Sequence, residues 1–165
     1  MIQMIDLSKA LDFQGYLNKS TEEQKEKLLK TYESTKLSKQ AEEEIKKLDK
    51  NVNVVVFSEG YCPDCVVTLP YVKRMQELNS NIKVFYYGMN GNKELLEEYT
   101  GTSRIPTVMT FTEDMKPKGA YVEVPQPIAE KAAILPSDKQ KELIKEYREG
   151  KYNDLIENEL LDIIK

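Results

Sequence analysis

The chain contains 165 residues, of which 40% are hydrophobic and 32% charged, and it carries a net charge of -4 at pH 7. This length is typical of one domain, and the acidic balance argues against a surface for bulk nucleic-acid binding. Histidine is absent and only two cysteines occur. These counts exclude a Ser-His-Asp triad, a Cys-His pair, a four-thiolate zinc ribbon within one chain and a scaffold stapled by several disulfides.

The first 50 residues are predicted to be helical. Ser20 and Glu23 fit a capping box that opens one helix. Helical spacing of apolar residues predicts one helix before it and one after it, from two sets: Met4, Leu7 and Leu11, and Leu37, Ala41, Ile45 and Leu48. No charged leader precedes a long apolar stretch, and no apolar run approaches the roughly 18 residues of a membrane span. We therefore expect a cytoplasmic protein without a membrane partner.

Strands and helices alternate in the middle of the chain. The β-branched run after residue 51 predicts a strand that is buried on both faces. The predicted elements are strands 52–58, 82–87, 107–112 and 118–124, and helices 62–79 and 93–99. Pro70 lies inside the first of these helices and is expected to kink it. The first two strands are expected to be parallel and the last two antiparallel neighbours.

Two helices are predicted at the C-terminus. Three prolines between residues 125 and 136 are expected to break the chain before them. Ser137 is predicted to cap the first helix, which ends at Gly150. The second helix is predicted from Tyr152 to Ile164, because its apolar residues again recur at helical spacing.

Both cysteines lie in one motif, Tyr61-Cys62-Pro63-Asp64-Cys65, which follows the buried strand and opens a helix. Pro63 suits the first helical position, and Asp64 suits the positive end of the helix dipole. Near the N-cap, the Cys62 sulfur can accept hydrogen bonds from free backbone N–H groups, which lowers its pKa. Cys62 is therefore the predicted nucleophile, and Cys65, one turn into the helix, is the predicted resolving thiol.

Two alternatives for this motif remain open. In the first alternative, the two cysteines are inert core residues, because free cysteine is often buried. In the second they belong to a metal site completed by carboxylates or by another chain, although the lack of histidine weakens it, and we expect no metal. The negative charges of Asp64 and Glu59 are expected to oppose a thiolate at Cys62 by repulsion. Of the ten tyrosines, only Tyr61 is expected to lie beside the chemistry.

The strand, the Cys-Pro-Asp-Cys turn, the helix with Pro70 and the segment Arg104-Ile105-Pro106-Thr107 resemble the thioredoxin superfamily. The helical N-terminus and the tail Tyr147-Arg148-Glu149-Gly150-Lys151-Tyr152 are similar to a bacterial branch of thioredoxin-like proteins with helical extensions at both ends. The resemblance implies an α/β thioredoxin fold, with a mixed sheet of four or five strands and helices on both faces. It also implies a single domain over 1–165, with a helical extension 1–50, a core 51–124 and C-terminal helices 125–165.

The resemblance further implies that Pro106 follows a cis peptide bond beside the cysteines. The backbone of Ile105 would then stay free for an extended substrate segment to pair with it. Pro106 as an ordinary proline at the start of a strand is the alternative.

This chain also departs from the family pattern. Val56 occupies the position of a buried aspartate that assists deprotonation of the resolving cysteine, and Tyr86 the position of its lysine partner. Tyr61 stands where the family usually has tryptophan. Either Glu59 or Asp64 is expected to take the proton role through water, or turnover is slower.

The expected function is thiol–disulfide exchange in the reducing direction, because cytoplasmic thiols are kept reduced. The expected partners are disulfide-containing substrate proteins and an electron donor such as a thioredoxin reductase or a low-molecular-weight thiol, and no cofactor is expected. A reductase specialised for one partner or for low-molecular-weight mixed disulfides is one alternative. A thioredoxin-fold binding module with little redox activity is another.

Overall fold

The computed structural model describes residues 4–165, which form one four-stranded sheet and eight α-helices. The strands are β1 (Val52–Ser58), β2 (Ile82–Gly88), β3 (Thr107–Thr112) and β4 (Pro117–Val122). The helices are α1 (Phe13–Asn18), α2 (Glu22–Ser34), α3 (Lys39–Lys46), α4 (Pro63–Leu78), α5 (Lys93–Thr100), α6 (Gln126–Ala133), α7 (Ser137–Arg148) and α8 (Asn153–Ile164). None of these helices is long and apolar enough to cross a membrane.

The strand order in the sheet is β2-β1-β3-β4. The β1–β2 pair is parallel with α4 between the two strands in the chain, and the β1–β3 and β3–β4 pairs are antiparallel. Every residue of β1 is buried, as its continuous β-branched run predicts for a central strand. The structure confirms the predicted mixed sheet and α/β fold, with extra helices at both ends of the chain.

Helices cover both faces of the sheet. Because successive side chains of a strand point to opposite faces, Val54 and Val56 face one side of the sheet, and Val55 and Phe57 the other. The larger core cluster joins the first pair to residues of α4 and α8, and the smaller one joins the second pair to Leu96 of α5. This arrangement puts the start of α4, and hence the cysteine motif, at the end of the central strand.

The terminal helices pack on this core. Helix α1 contacts β2. Helices α2 and α3 both contact α4, and α8 contacts β4 as well as α4. Ile45 of α3 and Ile156 of α8 are fully buried in the larger cluster. Burial of apolar area on α4 therefore stabilises the docking of α2 and α3.

The predicted helix through Met4, Leu7 and Leu11 is wrong. A short 3-10 turn spans Leu7–Lys9, and Leu11 instead forms a β-bridge with Tyr86. The two residues exchange backbone hydrogen bonds, with both N–O distances at 2.9 Å. Helical spacing cannot reveal this pairing, because the bridge depends on unpaired backbone groups of β2 far along the chain.

The capping box lies one residue later than predicted. Thr21 Oγ1 accepts a hydrogen bond from the Gln24 N–H at 3.2 Å, and Gln24 Oε1 accepts one from the Thr21 N–H at 3.1 Å. The pair Ser20 and Glu23 is displaced because threonine followed by glutamine three residues later satisfies the same motif. Local sequence does not distinguish the two registers.

The C-terminal half departs from prediction at three boundaries. Residues 126–133 form a helix where only a break was predicted, because Pro127 lies in the first turn, where no N–H is needed. Ser137 is the first helical residue rather than the cap, and Pro136 occupies the N-cap position. Strand β4 ends at Val122 rather than 124, followed by Glu123 with a φ of 67°.

Candidate active site

Cys62 occupies the N-cap of α4, between the end of β1 and Pro63 at the first helical position. Its extended backbone, with φ -84° and ψ 113°, turns the sulfur toward the free N–H groups of the helix. The Cys65 N–H donates to Cys62 Sγ at 3.1 Å. The predicted location of Cys62 is thus confirmed, and its sulfur takes the place of the oxygen acceptor that usually caps a helix.

The surroundings of Cys62 favour the thiolate. The pKa of the Cys62 thiol is lowered, first by a hydrogen bond from the Cys65 side chain and also by the Cys65 backbone N–H. Burial and the charge of Asp64 act against this shift. Because the thiolate is the nucleophile in disulfide exchange, these donors activate Cys62.

Cys65 has the opposite character. Its pKa is raised, first by burial and then by donation of its S–H to Cys62. The residue is 2% exposed, compared with 7% for Cys62, and both are free thiols. The predicted difference between a more accessible sulfur and a shielded one is confirmed in direction.

The Ile105-Pro106 peptide bond is cis, as the family resemblance implied. Cys62 Sγ lies 3.7 Å from the Ile105 carbonyl oxygen, so this segment passes directly beside the cysteine motif. The next residue, Thr107, begins β3. The backbone of Ile105 is therefore brought to the reacting sulfur from the opposite side of the site.

Tyr61 is 57% exposed, which makes it a large apolar side chain on the surface next to Cys62. Glu59 precedes the motif, and its Oε2 accepts a hydrogen bond from the Asn90 N–H at 2.9 Å. Glu59 thereby connects the cysteine loop to the turn after β2.

Asp64 forms an ion pair that sequence reasoning missed. Arg148, the last residue of α7, donates from Nε to Asp64 Oδ1 at 2.8 Å and from Nη2 to Oδ2 at 3.2 Å. Donation to the Asp64 carboxylate raises the pKa of the Arg148 guanidinium, and the charge of the nearby Cys62 raises it further. The repulsion expected from Asp64 is therefore opposed by a cation from the C-terminal helices.

A second missed feature lies beneath Cys65. The Tyr16 hydroxyl of α1 and Ser58 Oγ at the end of β1 are 2.6 Å apart, and both residues are buried. The Ser58 side chain also lowers the pKa of Cys65, against the larger effect of burial. The expectation that only Tyr61 lies near the chemistry is therefore wrong, because Tyr16 also lies there.

The two positions where the family pattern has an aspartate and a lysine hold buried residues without charge here. Val56 is fully buried in β1, and its sheet partner Tyr86 is 1% exposed. The Tyr86 hydroxyl has no hydrogen-bond partner among the described residues. Among residues 4–165, no group of three or more cysteine, aspartate or glutamate side chains is placed to hold a metal ion.

The chain is similar to known proteins over most of its length. A family model described as thioredoxin matches residues 10–139. A thioredoxin from Mycoplasmopsis pulmonis is 34% identical over 79 residues, which cover 44% of this chain and 70% of that protein.

Two solved structures share the fold at 20% identity. One is a protein of unknown function from Pseudomonas aeruginosa, which superposes with a TM-score of 0.79 over 95% of this chain and 93% of its own. An HIV epitope-scaffold superposes equally well, with the same score and coverage. Because these matches include both terminal helical segments, the likeness extends beyond the sheet and the cysteine motif.

Proposed function

Because the chain belongs to the thioredoxin family, we propose that it is a thiol–disulfide oxidoreductase that reduces protein disulfides through Cys62 and Cys65. One observation carries this proposal. Cys62 Sγ lies at the N-terminus of α4 and accepts the Cys65 N–H at 3.1 Å, which favours the thiolate, while the partner thiol lies one turn away and is shielded. Inert core cysteines do not require such an asymmetry.

The reaction follows from this geometry in two steps. The Cys62 thiolate attacks one sulfur of the substrate disulfide, the S–S bond breaks, and the other substrate sulfur leaves as a thiolate that takes up a proton. Cys65 then attacks Cys62 in the mixed disulfide, so the remaining substrate sulfur is released as a thiol. Two electrons pass to the substrate, and a Cys62–Cys65 disulfide is left on the protein.

Two groups beside Cys62 are suited to hold the substrate. The backbone at Ile105 lies within 3.7 Å of the nucleophile and can pair with an extended segment that carries the disulfide. The exposed ring of Tyr61 offers apolar contact on the other side. Substrate docking at Ile105 and Pro106 is part of this proposal.

We also propose that the protein works as a reductant in the cytoplasm and is re-reduced by a donor such as a thioredoxin reductase or a low-molecular-weight thiol. Reduction is favoured because cytosolic thiols are held reduced. The two cysteines alone carry the electrons in this scheme.

Reduction of insulin disulfides by dithiothreitol, followed as precipitation of the released chain, tests the proposal. Wild type is expected to accelerate precipitation over dithiothreitol alone, and Cys62→Ser to abolish the acceleration because a hydroxyl does not replace the thiolate. Cys65→Ser is expected to trap substrate on Cys62. If wild type reduces neither insulin nor small mixed disulfides, the reductase proposal is wrong and a binding module takes its place.

A further inference from the structure

A chain of buried hydroxyls leads from α1 to the resolving cysteine. Ser58 is fully buried, Tyr16 is 6% exposed, and their hydroxyl oxygens are 2.6 Å apart. The Ser58 side chain acts in turn on Cys65, whose pKa it lowers against the larger effect of burial. Because β1 and α1 supply one hydroxyl each, the N-terminal helices contribute directly to the surroundings of the second thiol.

The resolving step places a particular demand on Cys65. In the reduced protein, donation of its S–H to the Cys62 sulfur raises its pKa. Once Cys62 is in a mixed disulfide, that interaction with a free Cys62 sulfur is lost. Cys65 must then develop negative charge at a site that is 2% exposed, where an unpartnered charge is costly.

The nearby carboxylates are engaged elsewhere. Both oxygens of Asp64 bind Arg148, and Glu59 accepts the Asn90 N–H. Val56 offers no polar atom beneath the motif. Among the described residues, Ser58 thus supplies a side-chain hydroxyl that lowers the pKa of Cys65.

We propose, on the premise that the Cys62/Cys65 reductase function holds, that the Ser58 hydroxyl donates to Cys65 Sγ during resolution and that Tyr16 positions it. Tyr16 O–H donates to Ser58 Oγ, which leaves the Ser58 O–H directed at the sulfur. The step balances without a buried base: Cys65 S–H and the Cys62 mixed disulfide become the Cys62–Cys65 disulfide, and the proton ends on the departing substrate sulfur. Ser58 contacts a reacting atom, whereas Tyr16 acts through Ser58.

The ionisable groups around this chain of hydroxyls are consistent with donation. Burial raises the pKa of Tyr16, so its hydroxyl keeps its proton at neutral pH and remains a donor. The charges that face Tyr16 are those of Cys65, Cys62 and Glu59, and Tyr86 is stacked against its ring at 5.5 Å. The charges of Asp64 and Arg148 act on Cys62 instead. They therefore affect the first step, in which Cys62 attacks the substrate disulfide.

Stopped-flow reaction of the reduced protein with dithionitrobenzoate tests the proposal, because each released aromatic thiolate is coloured. The first release reports attack by Cys62 and the second reports resolution by Cys65. In Tyr16→Phe the first release is expected to stay within about twofold of wild type. The second is expected to slow about tenfold at neutral pH, because Ser58 loses the partner that holds its O–H toward the developing charge on Cys65. The pH midpoint of the second release is expected to rise.

Tyr86→Phe is the matched control. It removes a buried hydroxyl that has no hydrogen-bond partner among residues 4–165, from the ring that is stacked against Tyr16. Both releases are expected to keep their wild-type rates and pH dependence. Ser58→Ala removes the donor itself, and its second release is expected to be at least as slow as that of Tyr16→Phe.

The outcomes separate this inference from the function on which it rests. A second release at the wild-type rate in both Tyr16→Phe and Ser58→Ala overturns the inference, and so does an equal slowing in Tyr86→Phe. A wild-type protein that releases no second thiolate contradicts the reductase proposal instead. If Tyr16→Phe fails to fold by thermal unfolding, Ser58→Ala decides, with its first release as the check on an intact Cys62 site.

Discussion

Arg148 Nε lies 2.8 Å from Asp64 Oδ1, although 84 residues separate the two in the chain. Asp64 is the residue between the two cysteines that follows Pro63, and its side chain is 11% exposed. Arg148 ends α7, so the C-terminal helices supply the charge that neutralises the cysteine motif. This ion pair makes the reactivity of Cys62 depend on a segment far from the motif.

Replacing Arg148 with glutamine is expected to raise the pKa of Cys62. The variant removes a cation that attracts the thiolate and leaves the Asp64 charge, which already opposes it, without a counter-ion. The pH dependence of iodoacetamide alkylation measures this shift, and the midpoint should move to higher pH. We also expect stability to fall by about 1–2 kcal/mol in urea unfolding, between the values for exposed and buried pairs.

Asp64→Asn is expected to have the opposite effect on Cys62. Loss of the carboxylate removes the repulsion and frees the Arg148 guanidinium to act on the sulfur, so the pKa of Cys62 should fall. Alkylation of this variant should reach half its maximal rate at lower pH than wild type. A midpoint that moves upward would mean that the carboxylate stabilises the thiolate indirectly, through the helix terminus.

The S–H donor of Cys65 is expected to account for much of the activation of Cys62. Since the hydrogen bond from the Cys65 side chain is the largest influence that lowers the pKa of Cys62, Cys65→Ala should raise it toward the ordinary thiol value of about 8.5. Alkylation at neutral pH should then be slower than in wild type. Cys65→Ser keeps a side-chain donor, so its Cys62 pKa should lie between those of wild type and Cys65→Ala. Equal pH midpoints of alkylation in all three proteins would contradict the prediction.

Gly60 lies where the N-terminus of α2 approaches the cysteine loop. A Cβ at this position would come within 2.5 Å of Gln24 Oε1 and 2.7 Å of Ser20 Oγ. Gly60→Ala is therefore expected to displace Gln24 from its capping box and to cost about 1–2 kcal/mol in urea unfolding. In a Gln24→Ala background, where the cap is already lost, the same substitution should cost less.

Ile45 tests whether the N-terminal helices belong to the cooperative core. The residue is fully buried among the side chains of the larger cluster. Ile45→Ala should lower the free energy of unfolding by about 2–4 kcal/mol in a single transition. The neighbouring exposed Lys46 provides the control, since Lys46→Ala should change it by less than about 0.5 kcal/mol. Two separate transitions would show that the extension unfolds independently.

Local patterns were sufficient where a single segment determines the structure. The β-branched run predicts β1, and the Pro63 turn places Cys62 at a helix start, because both depend on neighbouring residues. The helix at 126–133 departs from prediction for a local reason as well, since proline breaks a helix in its interior but can begin one in its first turn.

The rest of the site depends on contacts between distant segments. Tyr16 reaches Ser58 across 42 residues, and Arg148 reaches Asp64 across 84. Tyr16 belongs to no motif, and the family likeness of the tail that contains Arg148 does not indicate a contact with Asp64. Their roles follow from how α1 and α7 pack at the end of β1, which spacing along the chain does not encode.

The bridge between Leu11 and Tyr86 has a consequence for how copies of the protein meet one another. Strand β2 is the outermost strand on its side of the sheet, and an outer strand with free backbone groups can recruit a strand from a second molecule. Leu11 occupies the amide and carbonyl of Tyr86 in the middle of that edge. A neighbouring chain must displace the segment that contains Leu11 before it can extend the sheet. This segment therefore opposes polymerisation through β2.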